Sequence, residues 1–284
     1  MSTSTVDLLS PIDWNHFPDQ GFIWLTIGGF FIVWFLLWLP LAGLFWVYSR
    51  QQPQFPVPSE QKIPLLVSLY LLAPGLLWLY AHQANTTLGT YGWQWGEGLF
   101  IGVLSGAGCG IAGVGLLSTV QVVGNWSTLQ PSKINWLPGI GTAIAVGALT
   151  LFVSAVEELV FRGFVVNQLQ ISYSPLSVLL ISSCIFALLH LVWDGPAGAP
   201  QLPGLILMGA VLLVARHANG GLLGLPCGLH WGWIWSLAVL DTTGIVTQRL
   251  AAPPWLVGRA GQPLTSPLVL GLLATTGALV WSFW

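Results

Sequence analysis

Charged side chains are scarce in this chain of 284 residues. Only 6% of the residues are Asp, Glu, Lys or Arg, while 55% are hydrophobic and the mean hydropathy is +0.78. A soluble domain carries roughly 25% charged residues, so this composition indicates a multi-pass integral membrane protein. The net charge of −2 gives no electrostatic basis for binding nucleic acid, and the lipid bilayer is the expected surrounding.

Cysteine motifs and a basic leader are also missing. Cys109, Cys184 and Cys227 show no CxxC spacing, and we expect them to be small buried apolar residues. The first twenty residues contain aspartates but no lysine or arginine, so they lack the basic start of a cleavable signal peptide. We therefore expect a polar tail over residues 1–20, followed by an apolar run that remains as a transmembrane helix.

Long apolar runs dominate the rest of the chain. A bilayer core needs about 20 mainly apolar residues in helical form, and eight runs approach that length. They cover 22–48, 63–82, 97–119, 139–168, 174–193, 203–217, 222–240 and 267–284. We predict an all-α, polytopic membrane helical bundle of about eight transmembrane helices, in which the sixth is the shortest.

The position of the charged motifs divides this bundle. Residues 21–130 are expected to form N-terminal transmembrane helices, 131–245 a core that encloses a polar pocket, and 246–284 a loop and a last helix. We expect the first three helices to pack outside the pocket. Basic residues in the first, third and seventh loops predict that the odd loops are cytoplasmic; these residues are Arg50, Lys62, Lys133, Arg249 and Arg259.

Glycine recurs at every fourth position in the third run. These glycines are Gly98, Gly102, Gly106 and Gly110. Without side chains, they leave one face of a helix open to close contact with another backbone. We predict that this face is a helix-packing seam.

The stretch "SAVEELVFRG" places three charges inside an apolar run. A charge at the centre of a membrane helix costs about 2.5–3.5 kcal/mol, so these side chains must face the bundle interior, a water cavity or each other. Glu158 and Arg162 are four residues apart and can form an ion pair on one helix face. Glu157 is rotated by about 100° and has no partner on its own helix. Glu157 is therefore the candidate for chemistry, and the alternative is a structural charge cluster.

Two histidines also lie inside apolar runs, His190 in "CIFALLHLVW" and His230 in "PCGLHWGWIWS". A carboxylate can act as a general base on water, while imidazoles orient that water, stabilise an oxyanion or protonate a leaving amine. Glu157, His190 and His230 could instead bind zinc. The chain has no HExxH spacing, so the zinc signal is weak.

These motifs resemble the CPBP family of intramembrane proteases, which includes the type II CAAX prenyl endopeptidases and the Abi bacteriocin-immunity proteins. "EELVFR" matches the EExxxR motif, "FALLH" (Phe186 to His190) matches FxxxH, and His230 matches the histidine of the third motif. The matched region runs from about Ser154 to Ser236.

The resemblance implies a glutamate-dependent endopeptidase without a cofactor, acting on membrane-anchored peptides or proteins, prenylated or not. It implies that Glu157 activates water, that His190 positions the water or assists proton transfer, and that His230 contributes to stabilising the oxyanion. Glu158, Arg162 and Phe186 would support the site. It also implies a prokaryotic plasma membrane or a related organelle membrane, and it is compatible with a membrane-protein partner.

The third motif departs from the family pattern HxxxN, because position 234 is Ile234. Removing one oxyanion donor typically slows an enzyme by about 100- to 1000-fold. Two interpretations therefore stay open. The chain is a protease that uses another donor, such as the indole of Trp231 or Trp233, or it is a non-catalytic CPBP-like membrane scaffold or bacteriocin-immunity protein.

Overall fold

The computed structural model describes residues 17–130, 136–259 and 262–283, and shows an all-α bundle. Within these residues, helix covers every predicted apolar run. Most of the predicted polar tail, Lys133 and the last residue of the eighth run lie outside the described residues.

The helices are α1 (Phe17–Ser49), α2 (Ser59–Tyr70), α3 (Leu72–Gln83), α4 (Glu97–Val123), α5 (Trp136–Glu157), α6 (Val166–Leu169), α7 (Pro175–Asp194), α8 (Leu202–Ala218), α9 (Gly224–Thr243), α10 (Pro254–Val257) and α11 (Pro267–Phe283). A π-helical segment, Glu158–Val165, joins α5 to α6. Short 3-10 turns cover Leu88–Tyr91, Gly195–Gln201 and Pro263–Thr265.

Five segments of the described chain are long and apolar enough to cross a membrane. They are Gln20–Ser49, Glu60–Gln83, Glu97–Val123, Gly139–Leu169 and Pro175–Ala218. The predicted fifth and sixth runs are joined in the last of these, because a 3-10 turn connects α7 directly to α8. Helix α9 is not among these five segments, and it contains glycine, tryptophan and histidine, which lower its hydropathy. Helix α11 is apolar but shorter than the five. The chain is an all-α integral membrane protein, but the expected number of eight crossings is not established.

The glycine face of α4 packs directly against α9, as predicted. A Cβ atom added at Gly102 would lie 2.7 Å from the backbone nitrogen of Leu225, and one at Gly232 would lie 2.7 Å from the carbonyl oxygen of Ala107. Glycines therefore occur on both helices of this seam. Gly98 lies at the end of the seam, because its nearest neighbour is the side chain of Leu222 and not the backbone of α9. The seam fixes the position of α9, which carries His230.

Free cysteines do not share one environment. Cys227 is buried, Cys184 is half-buried and Cys109 is exposed. The expectation of three buried thiols is therefore wrong for Cys109. This residue precedes Gly110 on α4 and lies outside the face that packs against α9.

Three loops meet at one end of the bundle. Strand β1 (Ser127–Leu129) pairs with β2 (Val246–Gln248) in an antiparallel ladder, which joins the loop after α4 to the loop after α9. Pro56 of the loop between α1 and α2 lines the same cavity as Gln262. The first, third and seventh loops therefore share one end, as the predicted topology requires, and their membrane side stays a prediction.

Candidate active site

The EELVFR stretch lies at the junction of α5 and the π-helical segment. Every residue of the segment is buried. A π-helix bonds residue i to i+5 and occurs frequently at functional sites. Arg216 of α8 holds this segment in place: its Nη1 donates to the carbonyl oxygen of Arg162, its Nη2 to Oδ1 of Asn167 at 2.7 Å, and its Nε to the carbonyl oxygen of Gly221 at 3.1 Å. Nothing in the sequence indicated this role of Arg216.

The predicted ion pair between Glu158 and Arg162 is confirmed. Nη1 of Arg162 lies 3.0 Å from Oε1 of Glu158, and both side chains are buried. The guanidinium carbon lies 4.2 Å from the centre of the Phe186 ring, a distance typical of a cation–π contact. Nη2 reaches the carbonyl oxygen of Gly209 at 3.5 Å. The guanidinium of Arg162 therefore interacts with Glu158, the Phe186 ring and the Gly209 carbonyl.

His230 lies between the two glutamates. Its Nδ1 is 2.9 Å from Oε1 of Glu158, and its Nε2 is 3.7 Å from Oε2 of Glu157. An ionised carboxylate can only accept a hydrogen bond, so Nδ1 carries a proton and donates it. This fixes the ring and directs Nε2 towards Glu157. The spacing in the sequence did not reveal that Glu158 orients His230.

Glu157 receives its hydrogen bond from another part of the bundle. The hydroxyl of Tyr70, at the end of α2, donates to Oε1 of Glu157 at 2.6 Å. Glu157 is 6% exposed and Tyr70 is 7% exposed. The expectation that the first three helices pack outside the pocket is therefore wrong, because α2 contributes a direct partner. The signal that could have found Tyr70 is a polar hydroxyl inside an apolar run, which is weak on its own.

His190 and Phe186 share one face of α7. Nδ1 of His190 lies 2.8 Å from the carbonyl oxygen of Phe186, and a carbonyl oxygen accepts only, so Nδ1 is the donor. Nε2 of a neutral His190 ring is then left as an acceptor. The Phe186 ring is buried and contacts His190 edge-on, with ring centres 4.6 Å apart, and His230, with ring centres 6.2 Å apart. Phe186 thus packs between the two histidines and Arg162.

Two cavities meet at Glu157 and His190. One, of about 280 Å³, lies between α4, α8, α9 and α11 and is also lined by His230, Trp233 and Ile234. The other, of about 560 Å³, lies between α1, α2 and α7 and is also lined by aromatic and aliphatic side chains, including Tyr70. Glu157 lies near the middle of its apolar run and His190 near the end of its run, but the two residues line both cavities.

An ion pair lies at the edge of both cavities. Nζ of Lys62 is 2.6 Å from Oδ1 of Asp194, and each side chain is about one-third exposed. Asp194 is one helical turn beyond His190 and lines both cavities. It also lines a third cavity of about 270 Å³, shared with Lys62, at the end of the bundle where the three loops meet.

The zinc alternative gains no support from the arrangement of ligands. In the described part of the chain, no group of three or more His, Cys, Asp or Glu side chains is placed to hold a metal ion. Nδ1 of each histidine is in a hydrogen bond, at His190 with a backbone carbonyl and at His230 with Glu158. Such bonds leave Nε2 of both rings available to water or to a metal, so they do not decide between the two.

Comparison with known proteins gives one match. A search of curated proteins and a search of solved structures found no match. The model of the family described as type II CAAX prenyl endopeptidase Rce1-like matches residues 139–236. This segment contains both glutamates, Arg162, His190 and His230, whereas Tyr70 lies outside it. This match supports the resemblance of residues 139–236 to the CPBP family of membrane proteases.

Proposed function

We propose that the protein is an intramembrane endopeptidase in which Glu157 activates a water molecule for attack on a peptide bond. One observation carries the proposal. Glu158 is committed to Arg162 and His230, whereas Glu157 is outside that ion pair and lines two cavities together with His190. In a purely structural charge cluster, both carboxylates would be enclosed by their partners. Glu157 accepts a hydrogen bond from Tyr70 and lies 3.7 Å from His230, but it also faces the cavities.

Charge balance is compatible with Glu157 as the base. When Glu157 is ionised and His230 is neutral, Oε2 and Nε2 are both acceptors, although they lie only 3.7 Å apart. A proton on Nε2 removes this conflict. It also makes the cluster neutral, because the charges of Glu157 and Glu158 are then balanced by Arg162 and His230. Neutrality lowers the cost of burying charge inside a membrane bundle.

The reaction follows from these positions. Glu157 removes a proton from water, and the resulting hydroxide attacks the carbonyl carbon of the scissile peptide bond. The carbonyl oxygen becomes an oxyanion, which faces the N–H donors of the site. The carbon–nitrogen bond then breaks, and the proton held by Glu157 passes to the departing amine. The reaction is a hydrolysis without oxidation or reduction, and it consumes one water molecule.

The two histidines have different tasks in this scheme. Nε2 of His190 accepts a hydrogen bond from the attacking water, because its Nδ1 is held by the carbonyl oxygen of Phe186. Nε2 of His230 donates to the developing negative charge, because its Nδ1 is held by Glu158. Tyr70 keeps Oε1 of Glu157 occupied, so Oε2 is the oxygen that receives the proton.

The shape of the cavities supports a membrane-anchored substrate. Both cavities have largely apolar walls, and the Lys62–Asp194 pair lies at their edge. An extended peptide with an apolar or prenylated anchor would leave its anchor in the larger cavity while its scissile bond lies beside Glu157. The wall composition alone is compatible with either kind of anchor.

Cleavage of membrane-anchored peptides by the purified protein tests the proposal. Wild type and Glu157→Gln are compared, with Glu97→Gln as control, because Glu97 is exposed at the start of α4. We expect Glu157→Gln to abolish cleavage at an unchanged melting temperature, and Glu97→Gln to cleave like wild type. Cleavage by Glu157→Gln would disprove the role of Glu157. A wild type that binds these peptides but cuts none would favour the scaffold or immunity function, to which the apolar Ile234 also points.

A further inference from the structure

An apolar side chain occupies the position where the family pattern has an amide. Ile234 lies one turn beyond His230 on α9 and lines the cavity that Glu157, His190 and His230 share. Its side chain has no N–H to offer a developing oxyanion. If this site cleaves peptides as proposed above, another donor must be available in the same cavity.

Trp231 does not supply that donor. Its indole N–H donates to the carbonyl oxygen of Gly147 on α5 at 3.0 Å, and its ring stacks on Trp235 with ring centres 5.7 Å apart. The indole N–H of Trp235 donates to Ala143, one turn earlier on α5, at 2.9 Å. Both tryptophans therefore join α9 to α5, and their N–H groups are already used.

Trp233 has a different environment. It is only 4% exposed, and it lines the cavity with Glu157, His190 and His230. Its Nε1 has no hydrogen-bond partner among the described residues. A buried indole N–H usually finds a partner, and an unpaired one has lost its hydration without compensation. Trp233 follows His230 by three residues, so the two side chains lie on one face of α9.

Other unpaired buried donors do not reach this site. The hydroxyls of Ser154, Ser172 and Ser183 are also buried without a partner among the described residues, but none of these residues lines either of the cavities that meet at Glu157. The hydroxyl of Tyr70 is bonded to Glu157. Two described residues combine an unused donor with a position on this cavity wall, Trp233 and Gln201. Gln201 also lines the third cavity, at the loop end of the bundle, whereas Trp233 shares the helix face of His230.

We propose that the indole N–H of Trp233 is an oxyanion donor of this enzyme and replaces the amide that Ile234 lacks. The inference rests on the proposed peptidase function and adds a catalytic residue to it. The indole donates to the carbonyl oxygen as that oxygen becomes negative in the tetrahedral intermediate, together with Nε2 of His230. Nε1 is itself buried in the resting site, so the indole must turn towards the cavity, and it has no hydrogen bond to break before it can do so.

Steady-state cleavage kinetics of three variants test this role. Trp233→Phe removes the N–H and keeps an aromatic ring, and Trp231→Phe is the matched control on the same helix. We expect Trp233→Phe to lower kcat by about 100- to 1000-fold with little change in KM or melting temperature. Trp231→Phe should keep kcat near that of wild type, even where its melting temperature falls. The double variant Trp233→Phe with Ile234→Asn should have a kcat at least about tenfold higher than that of Trp233→Phe, since the asparagine returns a donor beside His230.

Three results would overturn the inference. The first is a Trp233→Phe variant that keeps the wild-type kcat. The second is a slow Trp233→Phe variant that Ile234→Asn does not rescue, which indicates a packing role. The third is an inactive wild type that gains cleavage with Ile234→Asn alone, because such a site lacks a working donor. Glu157→Gln is measured in parallel. If Glu157→Gln abolishes cleavage while Trp233→Phe cleaves like wild type, only the role of Trp233 is disproved. If wild type cleaves no peptide, the proposed function is disproved as well.

Discussion

The hydroxyl of Tyr70 donates a hydrogen bond of 2.6 Å to Oε1 of Glu157, although the two residues are 87 positions apart in the chain. Tyr70 lies on α2, outside the segment that matches the protease family. The contact sets the rotation of the carboxylate, because one oxygen is held by the tyrosine and the other faces His230. A helix without a recognised motif thus takes part in positioning the proposed base.

Replacing Tyr70 by phenylalanine should slow cleavage without preventing folding. Hydrogen bonds to charged groups contribute about 1.5–3 kcal/mol, and we expect kcat to fall by about 10- to 100-fold while KM changes little. The carboxylate would no longer be held with Oε2 towards the cavity. Tyr80→Phe, on the following helix, is the control and should behave like wild type. An unchanged kcat in Tyr70→Phe would show that His230 and the helix backbone orient Glu157 without the hydroxyl.

Removing Arg162 should destabilise the protein more than removing the whole pair. Arg162→Ala leaves Glu158 buried with His230 as its remaining charged partner. Breaking a buried ion pair in this way costs about 3–5 kcal/mol. The double variant Glu158→Gln with Arg162→Gln leaves no uncompensated charge and should unfold at a higher temperature than Arg162→Ala. Thermal unfolding in detergent measures this, and equal stability of wild type and Arg162→Ala would contradict it.

The glycine seam should tolerate no side chain. In Gly106→Ala the new Cβ would meet the backbone of α9, at 2.7 Å from the nitrogen of Leu229. Overpacking of this kind costs about 1–3 kcal/mol, and we expect a lower melting temperature together with slower cleavage, because α9 carries His230. Gly108→Ala is the matched control, since nothing lies within 4 Å of its added Cβ. Equal stability of the two variants would show that the helices can separate without loss.

Cleavage should be insensitive to metal chelators. The predicted mechanism uses Glu157 as the base on water and assigns the histidines to hydrogen bonds, so no step requires zinc. We expect the same rate before and after prolonged treatment with a zinc chelator and dialysis. A zinc-dependent enzyme treated in the same way is the control for effective chelation. Activity that is lost on chelation and regained on adding zinc would replace this mechanism with a metal-dependent one.

Short-range features of this protein could be predicted from the sequence alone. The low content of charge and the long apolar runs determined an all-α membrane protein, because a helix is the structure that satisfies its own backbone in lipid. The Glu158–Arg162 pair followed from a spacing of four residues, since helix geometry brings such side chains together. The glycines of α4 indicated a close helix contact, which the structure locates on α9. The motifs around both glutamates and both histidines indicated a resemblance to the CPBP family, which the match over residues 139–236 supports.

Long-range features depended on the tertiary structure. Nothing in the spacing indicated that His230 bridges Glu157 and Glu158, or that Tyr70 reaches the site from α2. The sequence did not distinguish Trp231 from Trp233 as a donor. In the structure, α5 packs against α9 so that the indole N–H of Trp231 is hydrogen-bonded and that of Trp233 has no partner among the described residues. The number of crossings was also uncertain, because hydropathy cannot show that α7 and α8 are linked by a 3-10 turn. The physical reason is that local spacing defines the face of one helix, whereas the register between helices arises only when all of them pack.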